Sequence, residues 1–209
     1  MKNKKELTTM LKEAAILFAI TLIAGLALGF TYQLTKEPIR IQQEKKIKEA
    51  CQAVFADASE FTIIEVTPSE AGLAEYAAKG VTVGQVFVAQ DSTGSRIGFV
   101  IEVISSEGYG GNIGLYMGVR NDGTLNGISI LNIAETPGLG MEAENVLTPQ
   151  FVNKQVTEFT YTKAGSQSDS EIDAISGATI TTEAITNAVN VGLKFFAGEL
   201  MQEGGDGNE

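Results

Sequence analysis

The chain has 209 residues, 44% of them hydrophobic, with no histidine, no tryptophan and a single cysteine. This composition excludes Ser-His and Cys-His triads, histidine-ligated zinc or haem, an iron–sulfur cluster held by four cysteines of this chain, and an intrachain disulfide. The net charge of −11 is uneven, because residues 1–48 carry nine basic and four acidic residues while the remainder carries six and 22. So acidic a domain is a poor candidate for binding nucleic acid, and redox chemistry would need a bound cofactor.

The first predicted element is a membrane span within residues 1–35. No charged residue lies between Glu13 and Lys36, and residues 14–34 are long enough for a helix to cross a hydrocarbon core of about 30 Å. A buried helix and a cleaved signal peptide are the alternatives, the latter because Ala-Leu-Gly at 27–29 resembles a cleavage site. Basic residues flank the span on both sides, so their count does not decide its orientation. A short N-terminal tail is most simply left in the cytoplasm, which predicts an extracytoplasmic main domain.

Residues 36–58 are predicted to form a membrane-proximal amphipathic helix. Pro38 suits the first turn of a helix over residues 38–55. The apolar stripe of this helix recurs at helical spacing and consists of Ile47, Ala50, Cys51, Val54 and Phe55. On that stripe Cys51 is interpreted as a small buried hydrophobe.

Residues 59–201 are predicted to form a single α+β domain, an antiparallel sheet with helices before and after it. A strand at 61–66 precedes a short helix at 69–79 that Gly80 ends. Strands are expected at 85–91, 96–104, 113–119 and 125–133, with hairpin turns at 92–95 and 121–124. Residues 151–161 have strand character, 164–170 form a polar loop, and the last helix runs over 181–200. The acidic tail, 202–209, is expected to be disordered.

Two glycine-bearing stretches lie between predicted strands or after one. Residues 108–114 (Gly-Tyr-Gly-Gly-Asn-Ile-Gly) allow either a tight turn or close approach of a ligand to the backbone. They are not a phosphate loop, because no Gly-Lys-Ser/Thr follows. Residues 135–140 (Glu-Thr-Pro-Gly-Leu-Gly) are explained by a turn alone, but they also offer a carboxylate, a hydroxyl and backbone N–H groups that would suit a polar heteroaromatic ring.

A third glycine-bearing stretch, residues 173–182, directly precedes the last helix. One interpretation is a capping loop, in which Ser or Thr hydroxyls satisfy the first N–H groups of the helix. The other is a phosphate site at the helix N-terminus. Lys163 and Lys194 are the nearest positive charges in sequence. Backbone dipoles are therefore expected to do most of the holding.

The same stretch carries a resemblance to a known family. Residues 173–179, Asp-Ala-Ile-Ser-Gly-Ala-Thr, resemble the signature on which a dedicated flavin transferase attaches FMN through a phosphoester to the threonine hydroxyl. With the N-terminal span and the stretches 108–111 and 135–140 in this order, the chain resembles the G subunit of Rnf-type ion-translocating electron-transport complexes. The related C subunit of sodium-translocating NADH:quinone reductases has a similar motif but is usually longer. Met141 and Asn132-Ile133-Ala134 stand where the family often has a basic residue and histidines.

The resemblance implies a membrane-anchored flavoprotein subunit that relays electrons through covalent FMN, in a complex that couples ferredoxin oxidation and NAD⁺ reduction to Na⁺ or H⁺ transport. It implies that the chain binds other subunits in the membrane and is matured by the flavin transferase. The chain would be an electron-transfer subunit of a translocase, with no catalysis by the isolated chain. No catalytic or metal-binding residues are expected. Thr179 would carry the FMN. The other cofactor-binding residues would be Ser176, Gly177, Ala178, Asp173, Thr182, Glu135, Thr136, Gly138 and Leu139. Ile180 or Leu139 would pack on the ring.

Three alternatives remain at this point. The chain fits a flavoprotein subunit of another membrane redox complex, of the quinone reductase type. It also fits a non-redox, membrane-anchored binding domain in which Thr179 merely caps a helix. A hydrolase using Thr179 or Ser176 as nucleophile is disfavoured, because there is no histidine base and no Ser-x-x-Lys pattern.

Overall fold

The computed structural model describes residues 2–201, with side chains from Leu7 onward. Contacts within the chain divide it into two units, Met1–Lys46 and Ile47–Glu209. The prediction of a disordered tail at 202–209 lies outside the described residues.

The first helix, α1 (Lys2–Val54), continues through Pro38. The prediction of a separate helix that starts at Pro38 is therefore wrong. Proline removes one backbone hydrogen bond from a helix interior, and Arg40 pairs with both Glu37 and Glu44 next to that position. By length and composition α1 is able to cross a membrane, and none of its most apolar window is buried.

The second unit is built on a five-stranded antiparallel sheet in the order β1-β2-β3-β4-β5. Its strands are β1 (Glu60–Ile64), β2 (Val81–Gln90), β3 (Arg96–Ser105), β4 (Ile113–Arg120) and β5 (Leu125–Asn132). In the predicted turns, the Asp91 carboxylate accepts the N–H groups of Thr93 and Ser95, and Asp122 accepts that of Thr124. The predicted α+β class is confirmed.

Strand β2 begins four residues before its predicted start at Gln85. Its pairing with β3 is shifted between Val83 and Val86. Within this irregularity the Gln85 N–H donates to the Glu102 carboxylate at 2.9 Å. The bulge interrupts the alternation of apolar and polar residues, so the pattern in the sequence shows only the second half of the strand.

The two faces of the sheet are covered by different helices. α4 (Thr179–Phe195) packs mainly on β3, and α2 (Glu70–Ala78) lies against β2. A smaller core on the opposite face is formed by the end of α1. The predicted stripe of α1 lies there: Ile47 is partly buried, and Ala50, Cys51, Val54 and Phe55 are buried. The main core therefore lies between α4 and one face of the sheet.

The strand predicted at 151–161 is mostly absent, so this prediction is wrong. Phe151 ends a 3-10 turn (Thr148–Phe151), and only the short β6 (Thr160–Thr162) follows. The Phe151 and Phe159 rings pack edge to face at 4.9 Å. The side chain of Asn190 binds both the N–H and the C=O of Phe159, at 2.7 and 2.9 Å, in place of a strand partner.

The last elements lie between β5 and the chain end. α3 (Ala143–Val146) follows a 3-10 turn at Gly140–Glu142. β6 pairs in parallel with β7 (Glu171–Asp173), and the predicted polar loop at 164–170 connects them. α4 starts two residues before its predicted start at Thr181 and passes into a π-helical turn, Phe196–Leu200.

Candidate functional site

The three glycine-bearing stretches line one cavity of about 730 Å³. Its volume lies in the range of about 300–1,000 Å³ that small-molecule and cofactor sites occupy. Tyr109 comes from the loop between β3 and β4, Glu135 and Leu139 from the loop after β5, and residues 174–181 from the segment between β7 and the first turn of α4. The fold thus brings together stretches that lie far apart in sequence.

A larger cavity of about 980 Å³ lies beside the C-terminal half of α4. It contains none of the predicted site residues. Lys194, one of its lining residues, forms an ion pair with Glu75, another of them. The candidate site is therefore the smaller cavity.

The loop after β5 is held against the loop between β3 and β4. The Gly110 N–H donates to the Glu135 carboxylate at 3.2 Å. A Cβ on Gly110 would overlap the carbonyl oxygen of Ala134, so only glycine allows this approach. Glu135 is 7% exposed and lines the cavity. The packing of the two loops therefore holds a carboxylate in the cavity wall.

Gly140 brings the same carboxylate residue next to α4. A Cβ on Gly140 would lie 2.6 Å from Thr181 Oγ1 and 2.7 Å from Glu135 Cβ, closer than side-chain carbons approach. Leu139, beside it, is 39% exposed and lines the cavity. Glu135 thus packs against the 108–111 loop and against Gly140, which itself lies next to the start of α4.

The segment before α4 makes a tight turn that sets where the helix begins. The Ala178 N–H bonds to the Ile175 carbonyl at 3.0 Å, and Gly177 has φ +78°, in the left-handed region that favours glycine. The Thr182 hydroxyl accepts the Ile175 N–H at 3.1 Å and donates to the Ala178 carbonyl at 2.9 Å. This hydroxyl binds the turn to the first turn of the helix.

Thr179 is the first residue of α4, and no side chain caps the helix at the preceding Ala178. The capping interpretation of this segment is therefore wrong. The first N–H groups of a helix have no partner within it and attract negative charge. Thr179 is partly exposed and lines the cavity. Among the residues that the structure describes, its hydroxyl takes part in none of the side-chain hydrogen bonds.

Seven of the ten predicted binding residues line this cavity. They are Glu135, Thr136, Leu139, Ser176, Gly177, Ala178 and Thr179. The other three lie behind it or beside it.

Gly138 has φ +75° and shapes the loop after Glu135. The Asp173 carboxylate accepts the Ser166 N–H at 2.6 Å, and Thr182 is fully buried with its hydroxyl engaged. These three residues support the cavity without lining it.

Lys163 is a cavity-lining residue that the sequence does not assign. The parallel pairing of β6 and β7 explains its place, since the Ala174 N–H donates to the Thr162 carbonyl at 2.8 Å. Lys163, directly after Thr162, thus comes beside the segment that leads to Thr179. A basic side chain therefore lines the site although none is close to Thr179 in sequence, and the expectation that backbone dipoles do most of the holding stays a prediction. No local pattern reveals a pairing of two three-residue strands.

Comparisons with family models, known proteins and solved structures each find similar proteins. Residues 108–194 match the FMN-binding domain family, and residues 1–54 match the RnfG N-terminal region. The G subunit of the Na⁺-translocating ferredoxin:NAD⁺ oxidoreductase complex of Acetobacterium woodii is 31% identical over 192 residues, which cover 88% of this chain and 90% of that protein. The G subunit of the ion-translocating oxidoreductase complex of Methanosarcina acetivorans is 31% identical over 204 residues, covering 95% and 99%. The crystal structure of Shewanella oneidensis NqrC has a TM-score of 0.48 at 18% identity, covering 70% of this chain and 84% of that one.

Proposed function

We infer the function of this chain from its family: it belongs to the G subunits of Rnf-type ion-translocating oxidoreductase complexes and carries an FMN-binding domain over residues 108–194. It is a membrane-anchored flavoprotein subunit that relays electrons between redox partners of such a complex. FMN, when bound, would supply the capacity to take up and release electrons. The chain's own contribution is to bind, orient and tune that group.

Covalent attachment at Thr179 is the central part of the proposal. The observation that carries it is a hydroxyl without a described hydrogen bond at the uncapped start of α4, in the wall of the cavity. The N–H groups of the first helical turn would stabilise a phosphate on that oxygen. Attachment would form the bond between Thr179 Oγ1 and the FMN phosphorus and break the phosphoanhydride of a flavin dinucleotide. The other half would leave as a nucleoside monophosphate that keeps the bridging oxygen, and the hydroxyl proton would pass to a base of the flavin transferase.

The remaining cavity residues suit a large ring with a polar edge. Ile180 and Leu139, 51% and 39% exposed, offer apolar surface. The Glu135 carboxylate and the Thr136 hydroxyl offer polar contacts at its edge. Ser176, Gly177 and Ala178 form the partly open turn that we propose the transferase recognises, together with Asp173, which holds the neighbouring loop.

We propose that α1 holds the chain in the membrane as a single span, with the N-terminal tail in the cytoplasm and the FMN-binding domain outside. Anchoring raises the effective concentration of the flavin at its partner subunits. The complex would couple ferredoxin oxidation and NAD⁺ reduction to Na⁺ or H⁺ transport. The apolar part of α1 contains no charged residue that would serve as an ion path.

The intact mass of the full chain, purified from cells that express the flavin transferase, tests the attachment. The expected mass is that of the chain plus one phosphoester-linked FMN. Thr179→Val should have the unmodified mass and no in-gel flavin fluorescence. Ser176→Ala, which removes the neighbouring exposed hydroxyl, is the matched control and should keep the flavin. An unmodified wild-type chain would refute covalent attachment.

Labelling in intact cells tests the orientation. Ser92 lies exposed in the β2–β3 turn, far in sequence from the cavity residues. In a Cys51→Ser background, Ser92→Cys should react with a membrane-impermeant maleimide without cell lysis. Labelling only after lysis would reverse the proposed orientation.

A further inference from the structure

We propose that Lys163 is a positioning residue that holds the negatively charged phosphate of FMN at Thr179. The proposal rests on the function proposed above and assigns a side chain to that phosphate. It follows from the pairing of two short strands, from the charges that line the cavity and from the partners of the other basic residues.

Lys163 is held next to the attachment segment by backbone hydrogen bonds. β6 and β7 pair in register from Thr160 with Glu171 to Thr162 with Asp173. The Ala174 N–H then extends this pairing to the Thr162 carbonyl. Both strands end at this point. β6 continues into Lys163, and β7 continues into the turn that leads to Thr179. The two residues line the same cavity.

Lys163 forms no ion pair with a carboxylate among the described side chains, those of residues 7–201. Lys154 pairs with Asp169, and Lys194 pairs with Glu75. The Asp173 carboxylate, which lies on the paired strand, accepts the Ser166 N–H in the loop beyond Lys163.

Lys163 and Glu135 are the two charged residues that line the cavity in the described part of the chain. Glu135 is fixed by the Gly110 N–H in the wall formed by the first two loops. Lys163 comes instead with the β6–β7 pair, which leads into the α4 N-terminus. A phosphate at Thr179 is the anion that this arrangement favours for Lys163, because the helix N–H groups and the ammonium attract the same charge.

The effect of Lys163 should be modest and sensitive to salt, because its side chain is exposed. Removing the charge should lower, by about two- to five-fold, the factor by which attached FMN raises the folding equilibrium constant. This decrease should disappear at high ionic strength.

The experiment compares flavinylated full-length wild type with Lys163→Met, Lys163→Arg and Lys194→Met. The phosphodiester ³¹P resonance should move in Lys163→Met, stay near its wild-type position in Lys163→Arg, and stay unchanged in Lys194→Met. Lys194 is the control because it is an exposed lysine that lines the other cavity. Thermal unfolding of each chain, with and without attached flavin, measures the stabilisation at low and high salt.

A ³¹P resonance and a salt-dependent stabilisation that do not change in Lys163→Met would overturn the proposal. So would a shifted midpoint potential with an unchanged ³¹P resonance, since the ammonium would then face the ring. Complete loss of flavin from Lys163→Met, with normal attachment in Lys163→Arg, would support a charge contact at the phosphate. A wild-type chain without flavin would instead refute the proposed function, and this assignment with it.

Discussion

Replacing Glu135 by glutamine should raise the midpoint potential of the bound flavin. The substitution removes one negative charge and keeps the size of the side chain. Its amide oxygen still accepts the Gly110 N–H that the carboxylate accepts at 3.2 Å. A carboxylate in the cavity wall opposes the negative charge that a flavin ring gains on reduction, so its removal favours the reduced form.

The burial of Glu135 sets the size of this effect. With 7% of the residue exposed, the carboxylate is only partly screened by water, and an effective dielectric constant of about 20–40 applies. At a separation of about 6 Å, two unit charges then interact by about 1.4–2.8 kcal/mol. For a two-electron couple, about 30 mV corresponds to about 1.4 kcal/mol. The expected increase in potential is therefore about 30–60 mV.

Spectroelectrochemical titration of the flavinylated full chain in detergent measures this increase. Glu144→Gln is the matched control, because it removes an equal charge from an exposed residue of α3 that does not line the cavity. Equal potentials for wild type and Glu135→Gln, or an equal shift in Glu144→Gln, would show that the carboxylate does not act locally on the ring. Circular dichroism of each variant confirms that the fold is kept.

Three further substitutions test the packing of the domain. Gly110→Ala should lower the free energy of unfolding, measured by urea titration, by about 1–3 kcal/mol, because a Cβ there overlaps the Ala134 carbonyl. Gly198→Ala is the control and should change this free energy little, because a Cβ at Gly198 meets open space. Thr182→Val should cost about 1–3 kcal/mol, because it leaves a buried N–H unpaired, and a variant as stable as wild type would contradict this role. Burial raises the pKa of Cys51 to about 12, whereas an unfolded thiol has a pKa of about 8.5. The free energy of unfolding of the wild type should therefore fall as the pH rises between these two values, because only the unfolded thiol loses its proton there. Cys51→Ala should lack this decrease.

Thr179 shows how far local sequence reasoning reaches in this chain. The motif at 173–179 names the residue by its resemblance to a flavin-attachment signature, and its place before the last helix predicts either a capping loop or a phosphate site. The structure adds that the hydroxyl that stabilises the turn before this helix belongs to Thr182 and that the helix starts uncapped at Thr179. Which of several neighbouring hydroxyls bonds the turn depends on side-chain directions in the first helical turn, which the residue pattern does not contain.

The sequence by itself determined the features that depend on near neighbours. The apolar stretch at 14–34, the turns between strands, the buried stripe that ends in Phe55 and the three glycine-bearing stretches all follow from composition and spacing. Tertiary structure decided what depends on distant partners. Gly110 and Gly140 bury Glu135 between loops, and the β6–β7 pair brings Lys163 to the cavity. The physical reason is that such contacts join residues far apart in the chain, so no local period or motif encodes which of them will meet.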